Sequence, residues 1–352
     1  MNEQPSVVVR SIRAVRALLL LLIAAEAAHA AAFPLIVRQE TPIGRSGNPG
    51  GLVVAPDGGL VYLGVGRTVV AYDATSATPT ASIAVPGTVA DLAIAADGSR
   101  AYAALGDANA VAVLGLKPLR LLDLWRMRTK PSALLLDPTT GSLYVESAAA
   151  HRLAEFDVAT GRVRARLRLE GRLAQMVANG YGGLFVAVAD RDAVDVVDTR
   201  TLRLAGTYPV QTCDGPSGLA LDPVGRRLFV ACTSGGVAVI DTDAGFTFET
   251  LPGPPGAARG LFVRSPTGAD GWKGVAFFAT SQGTLDAVRM MAFIRYVDGG
   301  GLKLPRGGGP MAFDPQRHRL WLATQSTNGG DATGSLLILG AASAAPVSGV
   351  RP

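Results

Sequence analysis

Histidine is nearly missing from this chain, with three in 352 residues, and cysteine is scarcer still, with two. His29 falls in the N-terminal apolar segment, which leaves His151 and His318 for any imidazole chemistry. Two isolated histidines exclude a multi-imidazole metal centre and leave at most one for a nucleophile–histidine–acid arrangement. Cys213 and Cys232 form neither a CxxC nor a CxxCH, so a thioredoxin-like motif and covalent haem attachment are both excluded. The triple glycines Gly299–Gly301 and Gly307–Gly309 lack the Lys and Ser/Thr of a phosphate-binding loop and read as flexible connections. The acid pair Asp190 and Asp192 brackets a turn and reads as a hydrated loop rather than a metal site. No metal and no cofactor is expected.

Charge is thin too: 17% of residues are charged and 6% aromatic, against 48% hydrophobic, 43 Gly and 22 Pro. That mixture supplies core for many short strands and turn residues to join them. Long apolar runs are confined to the N-terminus. Arg10, Arg13 and Arg16 precede the apolar run Ala17–Ala25, and Ala28-His29-Ala30 places small residues where signal peptidase reads. The run is short for a membrane span. Residues 1–30 are therefore expected to be a signal peptide cleaved near Ala30, which makes the protein periplasmic or secreted. The mature chain would carry a net charge of +4 and no membrane span.

What is abundant is repetition. A turn mark recurs at Asp57-Gly58, Asp97-Gly98, Asp137-Pro138, Asn179-Gly180, Asp222-Pro223, Ser265-Pro266 and Asp314-Pro315, at intervals of about forty residues. An aromatic follows each: Tyr62, Tyr102, Tyr144, Phe185, Phe229, Phe277 or Phe278, and Trp321. The clearest unit reads as strands at Gly218–Leu221, Leu228–Cys232 and Val237–Ile240, separated by turn residues. Seven such units predict an all-β, seven-bladed β-propeller over residues 31–340. The strand-like Phe33–Ile43 is expected to complete the last blade and seal the ring, hiding an edge. The longest interval is explained by an expanded turn at Thr267–Gly274, and 341–352 reads as a flexible tail. Cys213 precedes the first strand of the clearest unit and Cys232 ends its second, so the hairpin brings them side by side for a disulfide.

The run Gly218-Leu219-Ala220-Leu221-Asp222-Pro223, followed by Arg227–Ala231 and Val237–Asp241, resembles the YVTN-type β-propeller repeat family. Gly141–Val145 and Phe156–Gly161 carry the same likeness, which extends over most of the chain after residue 30. The resemblance implies an exported propeller. Its members include binding and surface proteins and, more loosely, dehydrogenase subunits and lactone hydrolases. At Gly115, Arg289 and Gly340 the third strand lacks the closing Asp, which suggests irregular blades.

Propellers bind at the mouth of the central channel, and two sets of loops would form it here. One set carries Arg45, Lys130, Arg172, Asp214, Arg259 and Arg306; the other carries Arg67, Asp107, Asn109, His151, Arg152, Asp190, Arg191, Asp192, Gln282, Gln325 and Asp331. The expected ligand-binding set is Arg67, Asn109, Lys130, Arg152, Arg172, Arg191, Arg259, Gln282, Arg306 and Gln325. Its cations suit an anion. A second basic feature is the alternation Arg162, Arg164, Arg166, Arg168, flanked by Arg120, Arg126, Arg128, Arg200 and Arg203. Such a flank would serve an acidic partner or anionic lipid, or simply guard exposed edge strands, which is the favoured reading; nucleic acid is less favoured, because only Trp125 is interleaved for stacking. The reading is a non-catalytic binding scaffold for a protein partner or anionic ligand. The alternatives are a metal-dependent, lactonase-like hydrolase and an accessory subunit of a periplasmic oxidoreductase.

Overall fold

The turn marks act through their side chains. Asp57, Asp97, Asp137, Asp222 and Asp314 each accept a hydrogen bond from the amide two residues on, and Asn179 does the same for Tyr181. A second series closes the third strand of four repeats. Asp73, Asp157, Asp198 and Asp241 each hold the amides two and three residues ahead. These short-range bonds fix the hairpins before any long-range packing is needed.

The computed structural model describes residues 35–43, 48–137, 139–264, 273–291, 296–325 and 334–341. The expected signal peptide, the Ser265-Pro266 turn mark, the expanded turn from Thr267, the tail after 341, Arg45 and Asp331 lie outside those residues; of that turn only Lys273 and Gly274 are described, and Gly274 opens a strand. The described strands run from β1 (Leu35–Pro42) to β28 (Ser335–Ala341) and form seven antiparallel sheets of four. Six sheets are successive runs: β2–β5 (residues 49–84), β6–β9 (89–126), β10–β13 (133–168), β14–β17 (173–209), β18–β21 (216–251) and β22–β25 (258–303). The seventh takes β26 (Gly307–Asp314), β27 (Arg319–Gln325) and β28, and its outer strand is β1. The chain's first described strand thus pairs with its last, as the sequence predicts, and the ring is a seven-bladed β-propeller.

Seven apolar clusters fill the seven gaps between blades, because strand residues alternate between faces. Each expected aromatic packs against the blade that follows it: Tyr62 with Leu92 and Ala101, Tyr102 with Leu143, Tyr144 with Leu184, Phe185 with Leu228 and Phe229 with Ala276. Trp321 closes the circle against Val61 of the first blade. The open choice in the sixth repeat is decided by the same rule. Phe277 faces the seventh blade, while Phe278 faces back to the fifth.

Cys213 and Cys232 are bonded, with Cα atoms 5.1 Å apart, tying the lead into β18 (Pro216–Asp222) to the end of β19 (Arg227–Cys232). Polar links also cross between blades. The buried Asp222 accepts from Arg264 of the sixth blade at 2.8 Å. Arg317, paired with the buried Asp314, donates to the Gly58 carbonyl of the first blade.

The inner strands β2 (Pro49–Val54), β6 (Val89–Ile94), β10 (Ala133–Asp137), β14 (Leu173–Ala178), β18, β22 (Ala258–Arg264) and β26 surround the axis. They approach so closely that a Cβ on Gly51 would run into the Leu92 amide, and one on Gly260 into the Leu219 carbonyl.

Candidate functional site

A cavity of about 370 Å³ runs along the axis, walled by the inner strands. Its wall is mostly apolar, and its polar side chains are Asp91, Gln175 and Arg259. One register position explains two of them. The residue before Leu52, Leu92, Leu134, Met176, Leu219, Leu261 and Met311 of the seven inner strands is Gly51, Asp91, Ala133, Gln175, Gly218, Gly260 and Pro310 in turn. Five are small or lack a flexible side chain, and two are polar. Aligning the seven repeats would have exposed this pair in the sequence; attention to the loops passed over it.

Both polar residues serve the ring. The Gln175 amide donates to the carbonyls of Leu219 and Gly260 and accepts from their amides, at 2.9–3.2 Å, so one side chain joins three blades. Asp91 accepts from its neighbour Leu92 and from Leu134 of the third blade, both at 2.9 Å. Burial pushes the Asp91 carboxyl up, and the charge of Arg259 with these amide bonds works against that. Glu146, on β11 (Ser142–Ser147), lies behind the same wall and is 1% exposed. Burial pushes its carboxyl up to about 7, with a hydrogen bond from Ser132 and the charge of Arg259 opposing and Asp91 reinforcing. Its Oε2 has no hydrogen-bond partner among the described residues. Arg259, expected at the mouth, is thus a channel residue whose field falls on two carboxylates.

The rest of the expected mouth divides by partner. Arg67 is paired with Asp107 at 2.8 Å, one repeat further on. Together with the Thr88 amide and hydroxyl, that guanidinium holds the Asp107 carboxyl down to about 2. Arg191 reaches the Glu170 carbonyl and carboxylate, and Arg306 reaches Ser335 Oγ. Asn109, His151 and Asp192 occupy left-handed turn positions, with φ of 48°, 52° and 46°. Their placement follows from turn geometry, which Asn and Asp tolerate better than most residues. The His151 ring is drawn to the Gly171 carbonyl. Gln282 is exposed in the turn after Thr280, and Gln325 ends β27, half-buried. Lys130 and Arg172 remain exposed with no ion pair among the described residues.

Arg152 points elsewhere. It begins β12 (Arg152–Asp157) and lines a groove between the second and third blades with Arg126, Arg128 and Arg166. The basic alternation is interrupted on β13 (Val163–Arg168). The register slips between Glu155 and Phe156, so Arg164 is the extra residue of a β-bulge. It bonds Asp157 at 2.6 Å, Ser142 at 2.8 Å, and lies 3.6 Å from Glu155. Arg166 and Arg168 pair across to Ala154 and Arg152 instead. Arg162 precedes the strand, exposed. Trp125 is buried, stacked on Phe156 and bonded to Asp123, so it forms part of the packing between blades.

Among the described residues no three His, Cys, Asp or Glu side chains gather into a set that could hold a metal ion, and no helix is long and apolar enough to cross a membrane. No family model and no curated protein matches the chain. Among solved structures it is similar to one described as the crystal structure of RRP9 WD40 repeats. The TM-score is 0.72 at 12% identity, over 88% of this chain and 98% of that one. The likeness is one of fold. Because 1840 solved chains match, it places the architecture and leaves the ligand open.

Proposed function

We propose that this protein is an exported, YVTN-like β-propeller that works without catalysis, as an interaction scaffold whose partner docks at the channel mouth. WD40 propellers share the architecture, and Lys130 and Arg172 carry the specific argument. They stand exposed on loops leading into inner strands, without the counter-charges that hold Arg67 and Arg191. The channel wall below is already committed, since the polar atoms of Gln175 are bonded to neighbouring backbone. A partner therefore meets its cations at the rim rather than deep in the axis. The fitting partner is a protein with an acidic patch, or an acidic small molecule. A lactonase-like hydrolase would need several carboxylates turned inward, and the wall offers Asp91 alone beside a cation. Export rests on the Arg-rich, apolar, Ala-x-Ala start, and the mature protein would begin near Ala31.

The test is a thermal-shift and pull-down comparison of the mature protein with Lys130→Ala/Arg172→Ala. Salt-sensitive stabilisation by acidic ligands, or capture of a discrete partner, lost in the double variant, supports the reading. Stabilisation by a divalent metal in both proteins sinks it in favour of the hydrolase. Copurification with a haem-bearing protein favours the oxidoreductase subunit.

A further inference from the structure

Separate from the mouth, a groove of about 330 Å³ opens on the flank between the second and third blades. Arg126, at the end of β9 (Leu119–Arg126), and Arg128 form one bank. Arg152 and Arg166, from β12 and β13, form the other. All four are exposed, none has an ion pair among the described residues, and no Asp or Glu lines the groove. Between the banks the lining is apolar at Phe156, Val163, Met127, Leu153 and Ala154, with the hydroxyls of Thr129 and Ser147 beside them. Four guanidinium groups around one concavity repel each other, and no carboxylate among the described residues pairs with them. A few residues away Arg164 shows the alternative, since Asp157 and Glu155 hold it.

We propose that this groove is a binding site for a phosphate-bearing organic anion. Guanidinium forks match phosphate oxygens two at a time, and four of them suit a ligand of several negative charges. The volume is that of a small-molecule site, and the apolar lining accepts the ligand's organic part. An edge-guarding role asks only that charges point to solvent; it does not ask two blades to converge four arginines around Phe156.

The test is calorimetric titration of the whole protein with three probes: tripolyphosphate, inorganic phosphate and phenyl phosphate. Tripolyphosphate is expected to bind with a Kd on the order of 10 μM at low salt, weakening as salt screens the arginines. Arg126→Ala/Arg166→Ala is expected to weaken it at least ~tenfold, while Arg120→Ala/Arg203→Ala, two exposed arginines outside the groove, leaves it within about twofold. Phenyl phosphate is expected to bind more tightly than inorganic phosphate, an advantage lost in Val163→Ser. No tripolyphosphate binding at 1 mM, or equal losses in both double variants, would overturn the site. Equal binding of phenyl and inorganic phosphate would overturn the organic ligand. Because the four arginines have no ion pair among the described residues, the arginine variants should melt like the parent, so a lost ligand is not a lost fold.

Discussion

Arg164 and Arg166 stand two residues apart on β13, and the bulge at Arg164 sends them to different work. The first is tied to Asp157, Glu155 and Ser142, three groups of its own blade. The second joins Arg126, Arg128 and Arg152 around a largely apolar lining that holds no acid. The same division runs through the molecule. Gln175, Asp91, Arg67 and Arg264 spend their polar side-chain atoms on joining blades, whereas the side chains of Lys130, Arg172 and the groove arginines have no ion pair among the described residues. In this propeller, charge type says little about role, and the presence of a counter-charge says much more.

The largest effect should come from the channel wall. Gln175→Ala removes four hydrogen bonds and leaves backbone groups of two neighbouring blades unsatisfied, an expected loss of about 3 kcal/mol in denaturant unfolding. Anion binding at the groove should survive, because the two regions share no residue. Breaking the Cys213–Cys232 bond with Cys213→Ser/Cys232→Ser is expected to cost a similar ~3 kcal/mol on the chain-entropy model. That loss should again leave the groove intact.

Next comes pH. Glu146 has a folded carboxyl raised to about 7, and Asp286, buried near Asp298, is raised to about 7 as well. The folded protein therefore holds protons that the unfolded chain has released between roughly pH 4.5 and 7. The stability these two carboxyls contribute should be fully present below that window and be lost as pH rises through it, levelling off above. Asp91 and Arg259 face Glu146 and bias it in opposite senses, with Ser132 as its hydrogen-bond donor. Glu146→Gln should flatten its share of the slope, worth about 2–3 kcal/mol between pH 5 and 8. A profile unchanged by the substitution would remove Glu146 from the account. The smallest effect is Arg164→Ala, expected to cost about 1 kcal/mol, since the pair is partly exposed but leaves Glu155 without its cation.

Architecture was legible because it is written in short-range chemistry. The Asp turn marks, the aromatic after each, and the period of about forty residues gave seven blades, and the strand-like start gave the closure. The disulfide was legible for the same reason, since both cysteines flank one hairpin. Partners of the arginines were not. Arg67 meets Asp107 across one full repeat, which a register of the repeats would show but a list of loop residues does not. Arg164 leaves its row through a bulge that its sequence does not announce, since the stretch alternates without a glycine or an extra polar residue. Gln175 and Asp91 were hidden differently. They lie inside strands, where a search for sites in loops does not look.

The most direct test sets Arg164→Ala beside Arg166→Ala and melts each with and without tripolyphosphate. If the counter-charge decides the role, Arg164→Ala melts lower but keeps the ligand-induced rise, while Arg166→Ala melts with the parent and loses much of that rise. Two variants that shift alike, in either measurement, would contradict the division between arginines that hold the ring and arginines that await a ligand.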